Sequence, residues 1–223
     1  MAIQQAVERN VLDVAYAQAA RVADIGVAGH GHALRLANAS GPYAARDLAD
    51  AVHLLCSLYG RHPGLVELAL GQCAVGAVRE WLVTASAAFE RERLYLVRLT
   101  AAVGPLPSTP GSAETESVLG QQRHALETLA LSERRGCALG ATTALVADWA
   151  GVRFVLDRAA ARTSVDVPVC SLPDAEAVVA VIAAAVEGPA AERALAFGGE
   201  QLLLQNRGLF DLLEARAEAR GDN

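Results

Sequence analysis

Asp50 and His53 stand three residues apart in DLADAVHLL, and Gln121 and His124 repeat the spacing in GQQRHAL. On a helix, residues i and i+3 project from one side, a turn apart, as paired metal ligands do. Two more polar residues interrupt apolar stripes: Gln18 in LDVAYAQAARV and Glu92 in AAFERERL. In chain order the set is Gln18, then Asp50-x-x-His53, then Glu92, then Gln121-x-x-His124. Carboxylates and imidazoles so placed hold a divalent ion if their helices turn inward together, and an ion so held supports redox chemistry. The candidate metal ligands are Asp50, His53, Glu92 and His124.

Over about residues 10–135 this order resembles the ferritin-like four-helix bundles, whose di-iron sites take Glu, Glu-x-x-His, Glu and Glu-x-x-His from successive helices. The resemblance implies a four-helix core with a C-terminal helical extension, and a carboxylate/histidine metal centre where the ligands are kept. The identities depart from that pattern. Gln18 and Gln121 replace two glutamates, Asp50 replaces a third, and only Glu92 keeps its type. Glutamine is a neutral, poor ligand for a hard ion, so two irons would lack the anionic oxygens they need. One divalent ion is the most this set can hold, and a metal-free scaffold is the expectation. The Pro/Gly-rich stretch GPLPSTPGSAE (104–114) also differs, because that fold's long crossover joins helices two and three.

A plainer reading applies to the same residues. Arg46, Asp50, His53 and Ser57 share one helix face opposite Leu48, Val52, Leu55 and Tyr59, and Ser117, Gln121, His124 and Thr128 line another. Both look like solvent-facing sides, whereas Gln18 and Glu92, inside their stripes, need hydrogen-bond partners. His30-Gly-His32 can chelate a metal but lacks a third ligand in sequence. His53 and Cys56 lack an orienting acid, which argues against a cysteine nucleophile. Asp148, beside Trp149 in an apolar run, needs a partner, for which an arginine from a neighbouring helix is expected. Arg153 and Asp157 read as an i,i+4 pair.

Composition excludes more than it suggests. All 19 basic residues of the 223-residue chain are arginine. Without lysine there is no Schiff base, no Walker-type phosphate lysine and no lysine nucleophile. A net charge of −6 and a pI of about 5.4 argue against a nucleic-acid partner, which requires a basic face. Apolar residues make up 53 % and aromatics 4 %, so Ala, Val and Leu must build the core. The start, MAIQQAVERN, lacks the basic-then-apolar order of a secretory signal. The runs 136–147 and 177–186 fall short of the ~20 residues of a membrane span. Cys56, Cys73, Cys137 and Cys170 form no C-x-x-C pair and read as free thiols of a reducing cytoplasm. The arginine-only, alanine-rich usage points to a GC-rich bacterial source.

Helical periodicity dominates the elements that must position these residues. Helices are expected over about 3–27 (stripe Val7, Val11, Val14, Gln18, Val22, Ile25), 43–60, 64–71 and 74–102 (stripe Val75, Val78, Leu82, Ala85, Phe89, Glu92, Leu96, Leu99). A fourth major helix, about 114–135, is expected to continue past Gly136 into a fifth that ends near Arg162, with Cys137–Leu156 as the most buried stretch. SLPD (171–174) starts a helix to about Glu187, and the last helix, 189–218, is expected to break at Gly198–Gly199. TSVDVPVC is the one extended piece. The chain reads as a single all-α domain over 1–223, cytoplasmic, with a binding or assembly role and a second copy of itself as a possible partner. The competing readings are a metal-dependent oxidoreductase and a small-molecule-binding helical protein of the haem-oxygenase type.

Overall fold

The computed structural model describes residues 2–221, with side chains described over 12–221. Its elements are α1 (Ala2–Ile25), a 3-10 turn (Val27–Gly29), α2 (Gly31–Ala37), α3 (Ala44–Tyr59), α4 (Leu65–Gln72) and α5 (Ala77–Ala102). They are followed by α6 (Ser112–Ala130), α7 (Cys137–Thr163), α8 (Ala175–Ala185) and α9 (Pro189–Ala219). The fold class is all-α, with no strand among the described residues; the TSVDVPVC stretch is irregular chain.

α7 is the axis of the molecule. It packs on α9 along most of its length, and α1, α2, α3, α5 and α6 all lie against it. Trp149, Val152, Val155 and Leu156 are fully buried. α7 has the length and apolarity to cross a membrane, because the apolar run continues beyond residue 147, but 83 % of its most apolar 18-residue window is covered by other helices. α1 packs on α7, α8 and α9, whereas α3, α4, α5 and α6 cluster on another side of α7.

Local sequence explains where the helices begin and end. The Asp174 carboxylate accepts the Ala177 N–H at 2.8 Å and caps α8, as SLPD suggested. α9 starts at Pro189, whose missing N–H is an orphan at that position anyway. α6 and α7 are separate helices. The turn between them ends in Gly136 at φ +96°, a conformation that only glycine adopts freely.

The expected break at Gly198–Gly199 is absent, and α9 runs straight through it. A Cβ on Gly198 would fall 2.0 Å from the Cys137 carbonyl oxygen, and one on Gly140 2.0 Å from that of Leu195. These glycines let the backbones of α7 and α9 touch. Val75, placed on the α5 stripe by its spacing, precedes the helix and is 96 % exposed. Val7 and Val11 of the α1 stripe lie outside the described side chains.

Candidate functional site

Asp50 is the most buried of the four candidate metal ligands, at 0 % exposure. The carboxylate accepts from Arg216 Nε and Nη2 at 2.8–3.1 Å and from Arg220 Nη1 at 2.6 Å. Arg216 also donates to Thr115 and Thr109, and Arg220 to Asp47 at 2.8 Å. The solvent-facing reading of Asp50 is therefore corrected: this face of α3 looks into the end of α9. Two arginines already neutralise the carboxylate, and bidentate guanidinium pairing uses the lone pairs an ion would need.

Glu92, 1 % exposed, accepts from Trp149 Nε1 at 2.8 Å and from Arg153 Nη1 at 3.0 Å. Arg153 continues to Asp157 at 3.1 Å, the expected i,i+4 pair, and to the Pro168 carbonyl at 2.7 Å. Tyr95 donates to Asp157 at 2.9 Å. Burial, and then the Asp157 bond, push the Tyr95 hydroxyl's pKa up. His53 lies half-buried with Nε2 2.8 Å from the Gly104 carbonyl, and His124 is exposed. The four residues thus belong to separate clusters, and no cluster of three potential ligands among the described residues contains any of them. Gln121 is exposed as well, and Gln18 is buried, donating to Gly140 O at 2.9 Å and Thr143 Oγ1 at 2.8 Å. Glu92 and Gln18 do not bond each other.

Asp148 carries a second correction. Its partners are the Val27 N–H (2.7 Å) and Asn206 Nδ2 (2.7 Å), with no arginine, and Tyr59 donates to the Asn206 amide oxygen. Burial raises the Asp148 pKa, and the Asn206 and Val27 bonds offset part of the rise. Tyr59 is likewise pushed up, by burial and then by Asp148. The sequence did carry a signal for these partners. Asn206 and Arg216 interrupt the apolar stripe of α9 (Asn206, Leu209, Leu213, Arg216) just as Gln18 and Glu92 interrupt theirs.

His30 and His32 open α2. His30 Nδ1 accepts the His32 N–H at 3.2 Å, so Nε2 bears the proton and donates to Asp211 at 2.9 Å. Burial first, then the Arg35 charge, pushes His32 down to about 4. Among the free cysteines only Cys137 is buried; Cys56 and Cys73 are half-buried and Cys170 is exposed.

A narrow crevice between Tyr59, Leu65, Phe89, Leu126 and Leu145 has a volume of about 40 Å³, room for water but far below the ~300 Å³ of a small-molecule site. Open grooves flank the 131–136 turn, two of them rimmed by Arg134, Arg135 and Glu187.

The outer face of α5 is different in kind. Glu80, Val83, Ala87, Glu90, Leu94, Val97 and Ala101 recur in alternating steps of three and four, and all are exposed. Val83, Leu94 and Val97 are 50 %, 56 % and 53 % exposed. That is the a/d pattern of a two-helix seam, facing away from the core that Ala85, Glu92 and Leu99 enter on the opposite side. Arg91, flanking the seam, donates to the Ser171 hydroxyl at 2.7 Å.

No curated protein and no solved structure matches the chain. A family pattern does, over residues 22–221, and on that match the chain belongs to the family of unknown function DUF6975.

Proposed function

We propose that this protein acts by assembly, and that the outer face of α5 pairs with the same face of a second copy in antiparallel orientation. The observation that carries the reading is the exposed seven-position seam from Glu80 to Ala101. A helix with apolar residues on both its core side and its outer side has a second face to cover. The charge pattern selects the partner. A two-fold axis between residues 90 and 91 sets Glu90 against Arg91 of the second copy, and Ala87 against its Leu94. Large then meets small, and acid meets base, twice by symmetry. A parallel pairing would instead stack Glu90 on Glu90 and Glu80 on Glu80.

The seam is one helix wide and ~30 Å long. That is small for an interface, so association in the micromolar range follows. Sedimentation velocity from 1 to about 100 µM tests the reading, with a concentration-dependent dimer as the expected result. Leu94→Glu should abolish the dimer while leaving the melting temperature within about 2 °C, since the side chain is exposed. A parent protein that stays monomeric throughout, or a dimer indifferent to Leu94→Glu, sinks the proposal.

A ferritin-like core for this assembly module is a separate proposal. The order of polar residues along α1, α3, α5 and α6 supports it; the place of α7 between α1 and the other three weighs against it.

A further inference from the structure

The geometry points to a divalent transition-metal site at His30, Asp211 and Glu214, with His32 as a fourth ligand once Arg35 swings away. Sequence alone left His30-Gly-His32 without a third ligand; folding supplies two. Asp211 and Glu214 lie at i and i+3 on α9, which brings both carboxylates to the start of α2. One ligand atom from each of His30, Asp211 and Glu214 lies within 4.8 Å of the others. His30 is 4 % exposed and held from behind, whereas the carboxylates reach the surface, so the arrangement is a fixed base with an open mouth.

A cation already occupies part of this site. Arg35 Nη2 donates both to Glu214 Oε1 and to His32 Nδ1, the latter at 3.3 Å. An arginine has only donors, so the His32 Nδ1 lone pair must face it. The guanidinium thus stands where an imidazole nitrogen and a carboxylate oxygen converge, and its own side chain is 60 % exposed. Rotation of Arg35 into water exchanges one positive charge for an ion of charge two and frees both acceptors. Two imidazoles and two carboxylates are a donor set suited to zinc, manganese or ferrous iron.

His30 must change tautomer to take part. Its Nε2 proton now points at Asp211. For a neutral ring to ligate through Nε2, that proton leaves and another is taken up at Nδ1. The ring's proton count is unchanged, and the 3.2 Å bond from the His32 N–H is given up. The ion therefore replaces a proton between His30 and Asp211, at the expense of one cap on a seven-residue helix. This site is independent of the α5 face and of the assembly reading.

The test is calorimetric titration of chelator-treated, full-length protein with zinc chloride, repeated with manganese chloride. The expected result is one ion per chain. Asp211→Asn and Glu214→Gln, both at solvent-accessible positions, should each weaken binding on the order of tenfold or more. Arg35→Ala should tighten it, because the competing cation is gone; a merely structural cluster has no reason to gain affinity from that change. Circular dichroism of each variant confirms that it is folded. No binding by the parent, binding unmoved by Asp211→Asn and Glu214→Gln, or weaker binding in Arg35→Ala would each overturn the inference.

Discussion

Asp50 shows how little a residue's type and spacing say about its role until its partner is known. The same carboxylate that fits a ligand pattern is, in the fold, the counter-ion of Arg216 and Arg220, which are 5 % and 3 % exposed at their side chains. Removing its charge leaves buried Arg216 short of its anion and takes one of two carboxylates from Arg220, which keeps Asp47. Asp50→Asn is therefore expected to cost about 3 kcal/mol in urea denaturation, against under ~1 kcal/mol for His124→Ala on the surface. Equal small losses would mean the arginines re-pair elsewhere. Glu67 offers a pH test of the same logic. Burial acts to raise its pKa, but the Arg93 bonds, with the Gly64 N–H and the Ser86 hydroxyl, outweigh burial and hold it below the usual carboxylate range. A depressed folded pKa gives stability that is present above the unfolded value of about 4.5 and lost as pH falls through the folded one. Glu67→Gln should thus be less stable at pH 7 by on the order of 2 kcal/mol, with the gap to the parent closing towards pH 3. A constant gap from pH 7 to 3 would contradict the assignment. The need for partners was legible at Gln18, Glu92 and Asp148, because each interrupts an apolar run. Their identities were not, since each bond joins helices far apart in the chain.

Apart from α2, which was not expected, helix positions were legible to within a few residues, because the 3-and-4 spacing of Leu, Val and Ala is the physics of the buried face itself. Glycines were the ambiguous letters. Gly136 was expected where one helix runs on into the next and instead caps the start of α7 after a turn; Gly198 was expected to break a helix and sits inside one. A glycine serves a turn by its freedom of φ and a helix crossing by its lack of a side chain, and only the neighbouring element decides which. The α7–α9 crossing is the second case. Even Gly140→Ala, whose Cβ would meet the Leu195 carbonyl at 2.0 Å, should cost about 1–3 kcal/mol, and Gly140→Leu more. Gly71→Ala, with nothing within 4 Å of its added carbon, should be neutral or stabilising by up to ~1 kcal/mol. Thermal denaturation of the two alanine variants compares them directly. If both behaved alike, the backbones of α7 and α9 would not touch at Gly140.

At the scale of the molecule, the polar residues that punctuate the helices tie the bundle together, and the exposed seam of α5 is where we propose that it meets a second copy. Spacing put Leu82, Ala85, Phe89, Glu92, Leu96 and Leu99 on α5's inner stripe, and all are buried. The second pattern on the same helix, through Val83, Leu94 and Val97, stands out only once their exposure is known. The antiparallel pairing makes a geometric demand that a nonspecific apolar contact does not. Near the two-fold axis a residue meets its own copy; far from it, it does not. Disulfide trapping under mild oxidation reads this directly, in a Cys170→Ser background that removes the exposed native thiol. The account predicts rapid covalent dimer from Glu90→Cys and none from Val83→Cys or Ala101→Cys. Equal dimer from all three would indicate a parallel pairing, and none from any would contradict self-association through α5.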